Sequence, residues 1–88
     1  MTRKIVLAGM RSSGLGPWIR VTGREVGVRI THLLPGETIV LHTNPDDNPR
    51  VFEGDGPHPF SIEKHTRYMF EKVTDRDISP TIVEVEFK

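Results

Sequence analysis

From residue 26 to residue 43 the chain alternates with a period of two, the spacing of extended backbone. Val26, Val28 and Ile30 alternate with Gly27, Arg29 and Thr31, and after Leu33-Leu34-Pro35-Gly36 a second run follows, Thr38-Ile39-Val40-Leu41-His42-Thr43. Proline presets φ at the first central position of a type II turn, and glycine accepts the positive φ needed at the second. Pro35-Gly36 therefore reads as a turn, and the stretch predicts a hairpin of residues 26–31 against 38–43. The remaining chain is expected to add strands to it.

Residues 4–8 read as a first strand, apolar on both faces, and 18–22 as a second, with Trp18, Arg20 and Thr22 on one side and Ile19 and Val21 on the other. Two prolines and four Asn/Asp residues in 44–49 mark a surface loop. Residues 50–53 form a short strand, Gly54-Asp55-Gly56 a turn continued by Pro57-His58-Pro59, and 60–62 a further short strand. Residues 67–73 fit a strand by composition and about two helical turns by spacing, since Met69, Phe70 and Val73 then share a face. Strand is favoured, because aromatics suit sheets and every neighbour is extended. The last strand, 81–87, turns Val83, Val85 and Phe87 inward and Glu84 and Glu86 outward. Seven to eight short strands without a helix predict one antiparallel β-sandwich domain over residues 1–88, with a small β-barrel as the alternative and 9–16 as a flexible Gly-rich loop. The expected inward set is Val6, Ile19, Val21, Val28, Ile30, Ile39, Leu41, Phe52, Tyr68, Phe70, Val83, Val85 and Phe87.

A chain of 88 residues buries only about 60–65% of the surface its unfolded form exposes. It has no cysteine, so neither disulfide nor thiolate site reinforces it, and self-association or a partner is a common remedy at this size. The net charge is zero, where a non-specific nucleic-acid binder carries a basic excess. The balance is uneven along the chain. Residues 1–44 hold six Lys/Arg against two Asp/Glu, and 45–88 hold six against ten. Segregated into faces, these charges would favour head-to-tail docking; interleaved strands would mix them. The apolar run after Arg3-Lys4 is cut by Arg11, too early for a signal peptide, and no stretch is long enough to span a bilayer as a helix.

The chemistry-bearing motifs are incomplete. A strand followed by Gly9-x-x-x-x-Gly14 begins like a phosphate-binding loop, but Leu15 and Gly16 stand where Lys and Ser/Thr are needed, and a strand follows instead of a helix. Asn44, Asp46 and Asn48 alternate like calcium ligands, yet Pro49 occupies the place of the required Gly and Asp55 that of the bidentate Glu. His32, His42, His58 and His65 lack the short spacing of a zinc pair, and no serine has a nucleophile-elbow context. No catalytic residue, cofactor or metal is expected.

The remaining candidates are surfaces. Trp18 has polar strand-mates, so it is either an outward anchor beside Arg20 or a cap on the core. Met10, Leu15 and Trp18 are expected to form a small apolar patch with Arg11 and Arg20 at its rim, and Pro57, His58 and Pro59 a rigid tip that docks at low entropic cost.

The strand-only pattern, with Trp18-Ile19-Arg20-Val21-Thr22-Gly23, Arg67-Tyr68-Met69-Phe70-Glu71-Lys72-Val73 and Thr81-Ile82-Val83-Glu84-Val85-Glu86-Phe87, resembles the small β-sandwich virion proteins of tailed phages, the head-decoration or cement proteins. The resemblance implies a non-enzymatic structural protein on the capsid surface, many copies of which bind coat-protein junctions; without it, a soluble intracellular protein is expected. Capsid or other assembly proteins, and further copies of itself, are the partners, with no nucleic acid and no membrane. A carbohydrate- or other ligand-binding sandwich would instead use Trp18 and Tyr68 as platforms, with Asp46, Asp47 or Asn48 as hydrogen-bonding groups. A small nucleic-acid-binding barrel would use Trp18, Arg20, Arg29 and Phe60.

Overall fold

Eight strands follow one another along the chain: β1 (Thr2–Leu7), β2 (Ile19–Arg20), β3 (Glu25–Thr31), β4 (Thr38–Asn44), β5 (Arg50–Glu53), β6 (Gly56–Pro59), β7 (Arg67–Val73) and β8 (Thr81–Phe87). The computed structural model describes residues 2–9, 14–45, 48–62 and 64–88, and no α-helix occurs among them. The strands form two antiparallel four-stranded sheets, ordered β1-β8-β3-β6 and β2-β7-β4-β5. The protein is a β-sandwich, and this strand order is that of the jelly roll.

The order has a simple origin in the chain. Thr2 pairs with Glu86, Ile19 with Tyr68, Gly27 with Pro59 and Thr38 with Glu53, so paired residue numbers add to between 86 and 91 in all four couples. The chain is one long ribbon folded back on itself near residue 45. Rolling that ribbon brings β8 against β3 and β7 against β4, which closes the two sheets.

The fold-back point coincides with the boundary between the basic and acidic halves of the sequence. Each ribbon couple therefore sets a strand from one half beside a strand from the other, and the charges interleave. Lys4 and Arg29 both lie opposite Glu84 on β8. Opposite charges at such positions favour the pairing. Interleaved in this way, the uneven balance favours complementarity between the two arms over segregation into opposite-signed faces.

The expected hairpin is corrected. The turn itself is present: the Glu37 N–H donates to the Leu34 carbonyl at 3.1 Å, and Gly36 has φ of 85°. But β3 pairs with β8 and β6, while β4 pairs with β5 and β7. Residues 32–37 carry the chain from one sheet to the other. Six residues, one of them His32 at a φ of 68°, turn the strand out of its own sheet, and Leu33 is buried between the layers. His32 consequently lies in the crossover between the sheets, while His42 lies in β4.

The core lies between the layers. Ile5, Leu7, Val28, Ile30, Val83 and Val85 come from the first sheet, and Ile19, Ile39, Leu41, Phe52, Tyr68 and Phe70 from the second. Phe60, Tyr68 and Phe70 form a three-ring cluster with centroids 5.9–6.4 Å apart, the spacing of favourable tilted and edge contacts. Val6 is corrected: it is 59% exposed, and Ile5 and Leu7 point inward. The run Ile5-Val6-Leu7 is apolar throughout, so alternation alone does not choose its face; pairing of Ile5 with Val83 does. Val21 and Phe87 are only partly buried, packed against the core. In β7, Phe70 is fully buried and Val73 is 48% exposed, which rejects the helical reading with both on one face. Residues 60–62 are not a strand, although Phe60 and Ile62 are buried.

Pro57-His58-Pro59 is also corrected, from a turn to an edge strand paired with β3. Prolines fit an edge because they offer no N–H to a further strand. The strand sits tightly on Gly27, where a Cβ would lie 2.8 Å from the His58 carbonyl oxygen.

The Tyr68 side chain is fully buried, and among the described residues its hydroxyl has no partner at full hydrogen-bond geometry, only a weak approach to the Glu25 carboxylate. The nearby Glu25 carboxylate instead accepts from the Thr22 hydroxyl at 2.9 Å and the Gly23 N–H at 3.0 Å. Burial, and then the Glu25 charge, push the Tyr68 hydroxyl well above the usual phenol range. A buried unpaired hydroxyl costs about 1–3 kcal/mol, so Tyr68→Phe is expected to stabilise the protein by about 1 kcal/mol. Urea unfolding measures it, and a loss of stability would show that the hydroxyl has a partner after all.

Candidate docking face

The outer face of the second sheet follows from alternation. In β7, Tyr68, Phe70 and Lys72 are buried, so Arg67, Met69, Glu71 and Val73 face outward; in β4, Thr38, Val40, His42 and Asn44 do the same. Val51 of β5 lies opposite Val40. Leu15 bridges to Glu71 at the far edge, and Trp18 precedes the inward Ile19. This face holds four large exposed apolar side chains, Leu15 (49%), Trp18 (48%), Val51 (54%) and Val73 (48%). Near its middle His42 Nε2 and Glu71 Oε1 lie 2.8 Å apart.

Trp18 is thus an outward residue, which settles the alternative of a cap on the core. It lines a shallow recess with Arg20, Thr66 and Arg67. Arg20 lies directly opposite Arg67, a partner 47 positions along the chain. Both are exposed. No other cross-strand pair among the described residues opposes two like charges, and neither guanidinium has an ion pair among them.

The other candidate residues are dispersed. Met10 and Arg11 lie outside the described residues, as do Asp46 and Asp47. Of the Gly-rich segment, Gly9 and Gly14 are buried and the Gly16 N–H donates to the Phe70 carbonyl at 2.9 Å. Pro57, His58 and Pro59 belong to the first sheet. The His58 ring packs on Phe52 with centroids 5.1 Å apart, which sets β6 over β5, at the opposite edge of the second sheet from β2. The tip therefore does not share a surface with Trp18. Tyr68 is buried and offers no platform to a ligand. Arg29 faces outward from the first sheet and Phe60 is buried, so Trp18, Arg20, Arg29 and Phe60 do not form one surface.

No family model matches the chain, no curated protein matches it, and no solved structure matches it.

Among the described residues no three of His, Asp and Glu converge as metal ligands. Asp55 caps the crossover instead, accepting from the Leu33 N–H at 2.8 Å. Among the described residues no helix is long and apolar enough to cross a membrane.

A second polar cluster escaped the sequence reading. Glu37 Oε1 lies 3.2 Å from Lys72 Nζ, and the two side chains are 1% and 0% exposed. Glu37 Oε1 also accepts from the Leu34 N–H at 3.0 Å, and Oε2 from the Thr74 hydroxyl at 2.6 Å. Arg76 Nη1 is 3.0 Å from Oε2. Lys72 Nζ donates to the Ser79 carbonyl and to the Thr81 hydroxyl, which in turn donates to the His32 carbonyl at 3.1 Å. Burial opposes ionisation of Glu37, but the hydrogen bonds from Thr74, Leu34, Ser79 and Lys72 outweigh it and hold the carboxyl far below the usual range. Perturbed carboxylates mark many active sites, and Glu37, although its side chain is almost fully buried, borders a surface recess lined by Leu34, Pro35, Gly36 and Glu53. It ties the crossover of residues 32–37 to that of 74–80. The legible signal was Lys72 at an inward position of an alternating strand.

Proposed function

We propose that this protein is a non-enzymatic structural module that docks onto a larger assembly through the outer face of its second sheet. The observation that carries the reading is the exposed Trp18 beside two arginines that have no ion pair among the described residues, on a face with further exposed apolar residues. Tryptophan and arginine dominate binding hot spots, and large apolar side chains gathered on one face suit a protein contact. A tailed-phage capsid is the assembly proposed, with the chain as a decoration or cement protein. The jelly roll is among the architectures used by viral capsid proteins, as well as by lectins and cupins; this support is analogy of fold. Repetition over a lattice would let weak single contacts hold by avidity.

The experiment is sedimentation of native protein from the source lysate. It is expected to travel with particles of megadalton size. Recovery as a free monomer or small oligomer would remove the assembly reading and direct attention to ligand screening.

A further inference from the structure

The like-charged pairing of Arg20 with Arg67, the only one among the described residues, points to the chemistry of the contact. Elsewhere the basic and acidic arms put opposite charges side by side, as Lys4 and Arg29 do with Glu84. Arg20 and Arg67 break the pattern. Directly opposed residues on an antiparallel pair have Cβ atoms about 4.5–5.5 Å apart, and like charges there repel. An anion held between the two would relieve that repulsion, and the planar guanidinium fork matches a carboxylate geometrically.

Resting on the docking reading, we propose that Arg20 and Arg67 form a clamp for a carboxylate of the protein partner, an Asp or Glu side chain whose apolar neighbour covers Trp18. The rest of the face selects this occupant. It carries no further Lys or Arg among the described residues, and Glu71 and Glu53 lie on it. A nucleic-acid strand needs a track of cations, and here it would meet two arginines and then two carboxylates. A single acidic side chain needs one fork. The apolar residues beyond it, Leu15, Val51 and Val73, suit a protein surface.

The chain has one tryptophan, so its intrinsic fluorescence reports on this recess directly. The test titrates the full chain at constant ionic strength with N-acetylglutamate amide and with N-acetylglutamine amide, its neutral isostere. Inorganic phosphate and a short oligothymidylate form two further arms. Blocked glutamate is expected to change Trp18 emission saturably and blocked glutamine is not. Arg20→Gln and Arg67→Gln should each weaken the response about tenfold, while Arg29→Gln on the opposite sheet leaves it intact. Arg67→Glu supplies Arg20 with an internal partner; it should abolish the response and raise Tm by about 2–4 °C, which a misfolded variant would not do. Equal responses to the glutamate and glutamine probes, or an unchanged response in Arg67→Gln, overturn the clamp. Tighter binding of phosphate or oligothymidylate than of blocked glutamate overturns it in favour of nucleic acid. If the clamp fails while native protein still sediments with particles, the docking reading survives with another anchor.

Discussion

Glu37→Ala is expected to destabilise the protein by about 3–5 kcal/mol, because it leaves the Lys72 ammonium buried without a counter-charge. A domain of this size has about 4–13 kcal/mol in all, so this single change should leave much of the chain unfolded near 37 °C. The loss comes from both ends of the network. Lys72 retains only the Ser79 carbonyl and the Thr81 hydroxyl, and the Leu34 N–H loses its acceptor. The double variant Glu37→Gln with Lys72→Met removes both charges and should recover most of the stability, since a buried pair is often replaceable by neutral groups of similar volume. Chemical denaturation of the three proteins tests this. A cost below about 1 kcal/mol for Glu37→Ala would mean that Lys72 finds water or another acceptor.

The same carboxylate gives a signed pH dependence. Its folded-state pKa lies below the unfolded value of about 4.3. The stabilisation is therefore complete above that unfolded value and declines as pH falls below it toward the folded pKa. Tm should drop on acidification from about pH 5 to pH 2, and the double variant should show a flatter profile over that window.

Trp18→Ala is expected to remove docking and keep the fold. The side chain is about half exposed, so truncation should cost folding stability less than about 1 kcal/mol. At the centre of an interface the same truncation costs 2 kcal/mol or more, about thirtyfold in affinity. Mixed over a lattice, that loss is repeated at every copy. Sedimentation of the variant with its assembly, followed by circular dichroism of the free protein, separates the two effects. Co-sedimentation at the wild-type level would exclude Trp18 as the anchor, and an unfolded variant would return it to the core.

The two sides of this molecule differ in how far the residues foretell them. Strands whose alternation is clean, such as β4 and β8, were legible because one face is buried and the period is two. The sandwich followed from their number. Pro35-Gly36 shows where legibility stops. The turn it encodes is local and is present, but which strand lies beside β3 depends on residues 56–59 and 81–87. The docking face divides the same way. The alternation of their own strand puts Trp18 and Arg20 on one side, but it does not decide between an outward anchor and a cap on the core. Arg67 across from them, and the absence of an acid between, are properties of a pairing that spans half the chain. Glu37 was hidden for a similar reason, since its partners Lys72, Thr74 and Arg76 come from the other arm of the ribbon.

That ribbon also dictates when folding can begin. The first strand bonds only to the last, and β3 needs β8 as well as β6. While a ribosome is still extending the chain, the first sheet lacks β8 between β1 and β3, although β4–β5, β3–β6 and β4–β7 can pair before it. Apolar residues such as Leu7, Val28 and Ile30 must wait in the open until residues 81–87 emerge. Folding of this topology is accordingly slow, with loop-closure entropy met before the distant strands repay it. The nascent chain is at its most aggregation-prone while those residues wait for β8.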